Sequence, residues 1–183
     1  VFLQDTINYG SDSVMIIIAE SGATKTDWRA VYDDGSVIPV QSEGLNPIVM
    51  SHEEMNRVIG SVIPVVNPSG RQVSHVYFYG AGLVSPEVGA SIASIIDCWC
   101  PFAEVEFHSD MEAAGRAVFG DGDGVVAIMG TGSNSCLWES GRIVNNIRPG
   151  GFILGDEGGG AALGRMFLAD YIKGLVPEDL ASV

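Results

Sequence analysis

The chain has 183 residues, 46% hydrophobic and 17% charged, with a formal net charge of −14. That composition excludes a disordered chain, supplies apolar surface for one core or two small ones, and lacks the basic face of a nucleic-acid binder. Three sparse cysteines make no disulfide framework, and the apolar runs are too short to cross a membrane, so a reducing cytoplasm is the expected location.

Residues 1–13 show neither periodicity nor a basic head and read as a tail. Residues 14–19 form an apolar run expected to be a strand. A turn at Gly22 leads to a second strand at 27–32, and Asp34-Gly35 is the expected hairpin pair before a third at 37–41. Gly44-Leu45-Asn46-Pro47 is a loop. Ser51 with Glu54 makes a capping box. Met55, Val58, Ile59, Val62 and Ile63 then follow at helical spacing, with Pro64 and Asn67-Pro68-Ser69-Gly70 expected to end that helix.

A fourth strand is expected at 73–79. Ser85-Pro86-Glu87 is a helix start, and Val88, Ile92, Ile95, Ile96 and Trp99 make its apolar stripe. A fifth strand includes 105–107, and a short helix at 110–119 stops at Gly120. The order is β-β-β-α-β-α-β-α. After the polar turn Asp121-Gly122-Asp123-Gly124 the pattern restarts, with strands at 125–129, 135–138 and 142–145. A helix follows at 161–175, with Leu163, Phe167, Leu168, Tyr171 and Ile172 on one side. The expected division is a tail (1–13), an N-terminal domain (14–120) and the incomplete start of a similar second domain (121–183).

Two glycine-rich turns stand out. Glu20-Ser21-Gly22-Ala23-Thr24-Lys25-Thr26 follows the first apolar run, and Gly130-Thr131-Gly132-Ser133-Asn134-Ser135 follows the run at 125–129. Each offers backbone N–H groups and hydroxyls at the end of a buried strand, and glycine allows the close approach that a phosphate requires. Either turn alone reads as an ordinary glycine-rich hairpin; the pair points to a polyphosphate held from two sides. Cys98 and Cys100 sit two apart at a helix end and point in different directions, so they read as small buried hydrophobes, as does Cys136.

The two turns, their separation and the restarted pattern resemble the actin-like ATPase and sugar-kinase superfamily, with its α/β, ribonuclease H-like fold. The stretch from Glu20 to Trp28, the GTGSNS turn and Gly155-Asp156-Glu157-Gly158 resemble more closely the BadF/BadG/BcrA/BcrD-type ATPases, whose best understood members are N-acetylglucosamine kinases. The resemblance implies ATP-dependent phosphorylation of N-acetylglucosamine to its 6-phosphate. ATP, Mg²⁺ and the sugar are the implied ligands, and nucleic acid and membrane are not; homodimer formation stays open. It implies that Gly22, Thr24 and Lys25 lie in one phosphate loop and Gly130, Thr131, Gly132 and Ser133 in the other. Glu20 stands where many members carry Asp, a place for hydrated Mg²⁺; its plainer reading is a solvated turn acid. Asp110 corresponds to the aspartate that takes the proton of the attacking sugar hydroxyl. By itself it reads as a helix N-cap.

On the acceptor side the resemblance implies Asn46, Thr131, Gly150, Gly151 and Asp156. For Asn46 the alternative is a plain loop residue before proline, and for Asp156 a negative group at a helix N-terminus. Many members carry a tryptophan before GDEG; here Gly150 falls about there, which removes an apolar wall from the acceptor pocket. The region where the superfamily grips adenosine has no counterpart, so weak ATP affinity is expected. Two other readings follow from the same family and fold: an ATPase activator of a dehydratase, whose iron–sulfur cluster these cysteines do not obviously serve, and a non-enzymatic sugar- or nucleotide-sensing module.

Overall fold

Strand β1 (Met15–Ser21) is apolar along almost its whole length because it is covered on both faces, as a central strand must be. In this computed structural model the described residues are 15–22, 24–68, 70–80, 83 and 86–181. The expected tail, Val14, Ala23 and Ser85 fall outside them. The chain divides into two compact units, Val1–Ala113 and Ala114–Val183.

In the first unit β1, β2 (Lys25–Val31) and β3 (Val37–Glu43) form an antiparallel meander. Helix α1 (His52–Val66) leads to β4 (Val73–Gly80), and α2 (Pro86–Trp99) to β5 (Glu104–Ser109). Both β4 and β5 run parallel to β1, giving the sheet order β3-β2-β1-β4-β5. On one face Ile17, Ala19, Trp28 and Phe78 pack with Met55, Ile59 and Val62 of α1 and Ile92, Ile95 and Ile96 of α2. On the other, Ile16, Ile18, Val31 and Tyr79 form a smaller cluster with Ala113, in helix α3 (Asp110–Phe119). The observed order is the β-β-β-α-β-α-β-α read from the sequence.

The second unit carries an antiparallel sheet, β6 (Gly124–Met129), β7 (Ser133–Glu139) and β8 (Arg142–Ile147), in that order. The short helices α4 (Gly151–Leu154) and α6 (Glu178–Ala181) flank α5 (Gly160–Ile172). Trp138 is fully buried, and its Nε1 donates to Gly120 O at 2.9 Å. Its ring lies so close to Gly115 that no Cβ fits there.

Four details differ from expectation. Helix α1 continues past Pro64 to Val66. Proline near the last turn deprives only one carbonyl of its donor, and the helix closes with Asn67 N donating to Ile63 O. The first hairpin turns over three residues rather than two: Tyr32 N bonds Ser36 O, Gly35 N bonds Tyr32 O, and Gly35 takes the positive φ of 79°. The last long helix ends at Ile172, before Gly174 at φ 67°. Cys100 and Cys136 are buried as expected, but Cys98 is exposed.

Candidate active site

The parallel strands bring their C-terminal ends to one edge. Ser21 of β1 pairs in register with Gly80 of β4, and Gly80 with Ser109 of β5. The chain leaves this row through Gly22 on one side and Asp110 on the other. One step back, Glu20, Tyr79 and His108 make a second row. The carboxyl-terminal edge of an open α/β sheet is where ligands of such folds bind.

Asp110 is the first residue of α3, but it is not the cap. Ser109 is: its N and Oγ donate to Glu112 Oε2 at 2.8 and 3.0 Å, and its Oγ accepts from Glu112 N at 3.2 Å. That reciprocal pair is a capping box. Among the described residues it leaves Asp110 with one local bond, Oδ1 accepting from Met111 N at 2.9 Å. Glu112 is also held by His108, whose Nδ1 lies 3.4 Å from its Oε1, while His108 Nε2 lies 3.1 Å from Glu106. The His108 ring stacks on Tyr79. Burial works to raise the Glu112 carboxyl, yet the bonds from Ser109 and the His108 ring win and hold it below the usual range.

Glu20 lies on the same edge. Partial desolvation, and then the negative charges of Asp27 and Asp110, push its carboxyl above the usual range against a weaker pull from Lys25. Lys25 Nζ meets Asp27 at 2.9 Å, and with Gln41 it holds Asp27 low. Lys25 is therefore a strand residue whose charge is already engaged. Thr24 is exposed, and its carbonyl accepts from Gly44 N at 3.1 Å. Gly22 closes its turn by donating to Lys25 O at 2.9 Å. Among the described residues no group of three or more His, Cys, Asp or Glu is arranged to hold a metal ion. A cation beside Glu20 would take most of its ligands from water and phosphate, as Mg²⁺ commonly does.

The loop that carries Asn46 is tied to this edge by a buried relay at Leu45. Ser21 Oγ donates to Leu45 O at 3.0 Å, accepts from Leu45 N at 2.8 Å, and pairs with Thr26 Oγ1 at 2.8 Å. Thr26 Oγ1 in turn donates to Glu43 O. Asn46 Oδ1 then accepts from Ile48 N, an Asx turn.

In the second unit the turn 130–133 interlocks with the segment 155–161. Gly160 N donates to Gly130 O at 2.8 Å, Ala161 N to Thr131 O at 2.9 Å, and Ser133 Oγ to Glu157 O at 2.8 Å. The first N–H groups of α5 are thus spent on loop carbonyls, while among the described residues the N–H groups of Thr131 and Gly132 have no backbone partner. Asp156 sits at φ 61°, in the left-handed region, with its carboxylate against Gly132. Four residues precede α5 from there, and the helix N-cap is Gly159, so Asp156 does not cap it. Gly151 takes φ 70°, and Gly150 is packed on Gly155, where a Cβ would come within 2.7 Å of Gly155 N.

The first unit therefore gathers Glu20, Gly22, Thr24, Lys25 and Asp110 around one sheet edge, with Asn46 tied to it. The second gathers Gly130, Thr131, Gly132, Ser133 and Asp156, with Gly150 and Gly151 in a neighbouring tight turn. Sequence reasoning missed Ser21 and Thr26, which look like ordinary loop hydroxyls, and Ser109 and Glu112, which the Ser-x-x-Glu spacing could have flagged. Burial pushes the Cys100 and Cys136 thiols up. Among the described residues no helix is long and apolar enough to cross a membrane.

No protein-family model and no curated sequence matches the chain. Solved structures do. The putative N-acetylglucosamine kinase of Porphyromonas gingivalis is 38% identical, with a TM-score of 0.83, over 92% of this chain and 60% of its own length. The putative N-acetylglucosamine kinase of Chromobacterium violaceum is 17% identical, with a TM-score of 0.68, over 88% of this chain and 58% of its own. The ethanolamine utilization protein EutJ of Carboxydothermus hydrogenoformans is 13% identical, with a TM-score of 0.58, over 99% of this chain and 64% of its own. The last two likenesses concern the fold alone. The first makes the chain a homologue, and the chain spans about 60% of that protein's length. The fold is that of the actin-like ATPases, an N-terminal βββαβαβ sheet domain followed by a small antiparallel sheet, in agreement with the sequence motifs.

Proposed function

Taking the chain as a homologue of a putative N-acetylglucosamine kinase, with the actin-like ATPase fold, we propose that it serves ATP-dependent phosphorylation of N-acetylglucosamine at its 6-hydroxyl. The observation that carries this reading is the Ser109–Glu112 capping box. Because those two residues satisfy the start of α3, the Asp110 carboxylate is not consumed as a cap and stands at the sheet edge as a proton acceptor for a hydroxyl. Its contribution there is to position the attacking hydroxyl. That suits phosphoryl transfer, which depends on positioning and charge stabilisation more than on a strong base.

In this reading Asn46 and Asp156 hold sugar hydroxyls, with Gly150, Gly151 and Thr131 on the acceptor side. The N–H groups of Thr131 and Gly132, without a backbone partner among the described residues, serve the phosphates in the second unit, where Ser133 Oγ holds the turn in shape through Glu157 O. In the first unit the phosphate residues are Gly22, Thr24 and Lys25. Glu20, with negative charge facing it from Asp27 and Asp110, suits a divalent cation, and Mg²⁺ bound there supplies charge neutralisation between carboxylates and phosphates.

The test is sugar-dependent ADP release over a panel of hexoses and acetamido sugars, with the phosphorylated position read by phosphorus NMR. N-acetylglucosamine is expected to stimulate release most, and Asp110→Asn to abolish that stimulation. ADP release indifferent to every sugar, or a fully active Asp110→Asn protein, would refute the proposal.

A further inference from the structure

Asp156 stands in an unusual place. It is one of two non-glycine residues at positive φ among the described residues, the other being Ser140 in a strand turn. Its half-buried carboxylate accepts no hydrogen bond from any described residue. It lies across the face of Gly132: a Cβ built there would come within 2.8 Å of Oδ2 and 3.4 Å of Oδ1. Gly132 is, with Thr131, a residue of the turn whose N–H has no backbone partner among the described residues. A negative group that accepts no hydrogen bond from a described residue thus rests against a glycine of the turn whose own N–H has no backbone partner among those residues.

The two segments cannot part easily. Gly159 is buried against Gly132, where a Cβ would come within 2.7 Å of Gly132 C. Gly160 N, Ala161 N and Ser133 Oγ tie the segments together on either side of that contact. Whatever binds the Asp156 carboxylate therefore acts on the turn 130–133 directly, through a contact already made.

We propose that Asp156 couples the acceptor site to the phosphate turn. With no acceptor present, its carboxylate repels phosphate from the N–H groups of Thr131 and Gly132. Sugar hydroxyls that donate to the carboxylate spread its charge and draw it from Gly132, and the turn then accepts phosphate. ATP held without a sugar is held weakly, which limits transfer to water. The inference rests on the reading of 130–133 as a phosphate turn and adds to it a direction of control by the acceptor.

The experiment is amide NMR titration of the ¹⁵N-labelled chain with inorganic tripolyphosphate, with and without N-acetylglucosamine. Asp156→Asn removes the charge while keeping a side chain that tolerates the left-handed region, and Asp156→Gly suits φ 61° still better. Both variants are expected to bind tripolyphosphate about tenfold tighter than the parent, within the usual range of coupling between sites. The sugar is expected to tighten binding in the parent and to have no such effect in either variant. Glu157→Gln removes the same charge one residue away and is expected to change affinity far less. Shifts at Thr131 and Gly132 with equal affinity in parent and variants would overturn the coupling while leaving the phosphate turn standing. Equal tightening by Glu157→Gln would reduce it to general charge and overturn it too. No shift at those amides in any protein would overturn the phosphate reading itself, and the coupling with it.

Discussion

Ser21→Ala removes one oxygen from the relay that fixes the Asn46 loop to the sheet edge. Ser21 and Leu45 are 0% and 1% exposed, so water cannot replace what is lost. The two hydroxyls have two hydrogens to share among Leu45 O, Glu43 O and the contact between themselves, while Ser21 Oγ also accepts from Leu45 N. Alanine leaves the Leu45 N–H and carbonyl buried without those partners. At about 1–3 kcal/mol for each buried group left unsatisfied, less some relief as the loop shifts, the expected loss is about 2–4 kcal/mol. That is a large part of the ~5–15 kcal/mol typical of a domain. Urea unfolding should show a lower midpoint with an unchanged slope. Ser61→Ala is the control: its hydroxyl bonds Val58 O within its own helix on an exposed position, and the change should stay within about 0.5 kcal/mol. A Ser21→Ala loss no larger than that of the control would refute the view that the relay holds the loop.

Glu20 has its carboxyl raised on folding, so the folded state binds that proton more tightly and stability falls as pH rises from the unfolded value toward the folded one. Glu20→Gln is accordingly expected to stabilise the chain at pH 7 and to lose that advantage well below pH 4.5, read by urea midpoints at both pH values. Glu112 is lowered, the opposite sign: its contribution is full above the ordinary carboxylate value of 4.5 and fades as pH falls through the folded one, so Glu112→Gln should cost more at pH 7 than in acid. Gly115→Ala should destabilise despite alanine's better helix propensity, because a propensity gain of about 1 kcal/mol is outweighed by ~1–3 kcal/mol or more of overpacking against Trp138; thermal unfolding followed by tryptophan fluorescence would report it. Gly150→Trp should lower stability rather than restore a pocket wall, since Gly155 already occupies the space of a Cβ, and a melting temperature equal to the parent's would contradict that.

What the sequence revealed was mostly local and periodic. The apolar run of β1, the helical spacing of α1 and the restart after Gly124 each follow from burial, and burial leaves a pattern. Hairpin and helix ends were read less well. They turn on a single N–H or φ, as at Gly35 and Pro64, and such choices leave no repeating mark. Asp110 was visible as a helix-start aspartate, but its freedom from capping depended on Ser109 and Glu112. The relay of Ser21 and Thr26 was invisible for another reason: nothing in sequence spacing says that a hydroxyl in β1 will meet Leu45 across a meander.

The charges of the two units divide the proposed chemistry. At the edge of the first unit the negative groups dominate: Asp27 and Asp110 both act on Glu20, and Lys25 is engaged by Asp27. A triphosphate brought there bare would meet repulsion, since like charges a few ångströms apart near a protein surface interact by about 4 kcal/mol. The turn of the second unit offers N–H donors instead, but Asp156 stands against it. Neither unit is built to hold phosphate without further neutralisation. In the proposed function one would call for a cation beside Glu20 and the other for hydroxyls on Asp156. A site of this kind should therefore bind free tripolyphosphate poorly. Adding Mg²⁺ and adding acceptor should each improve binding.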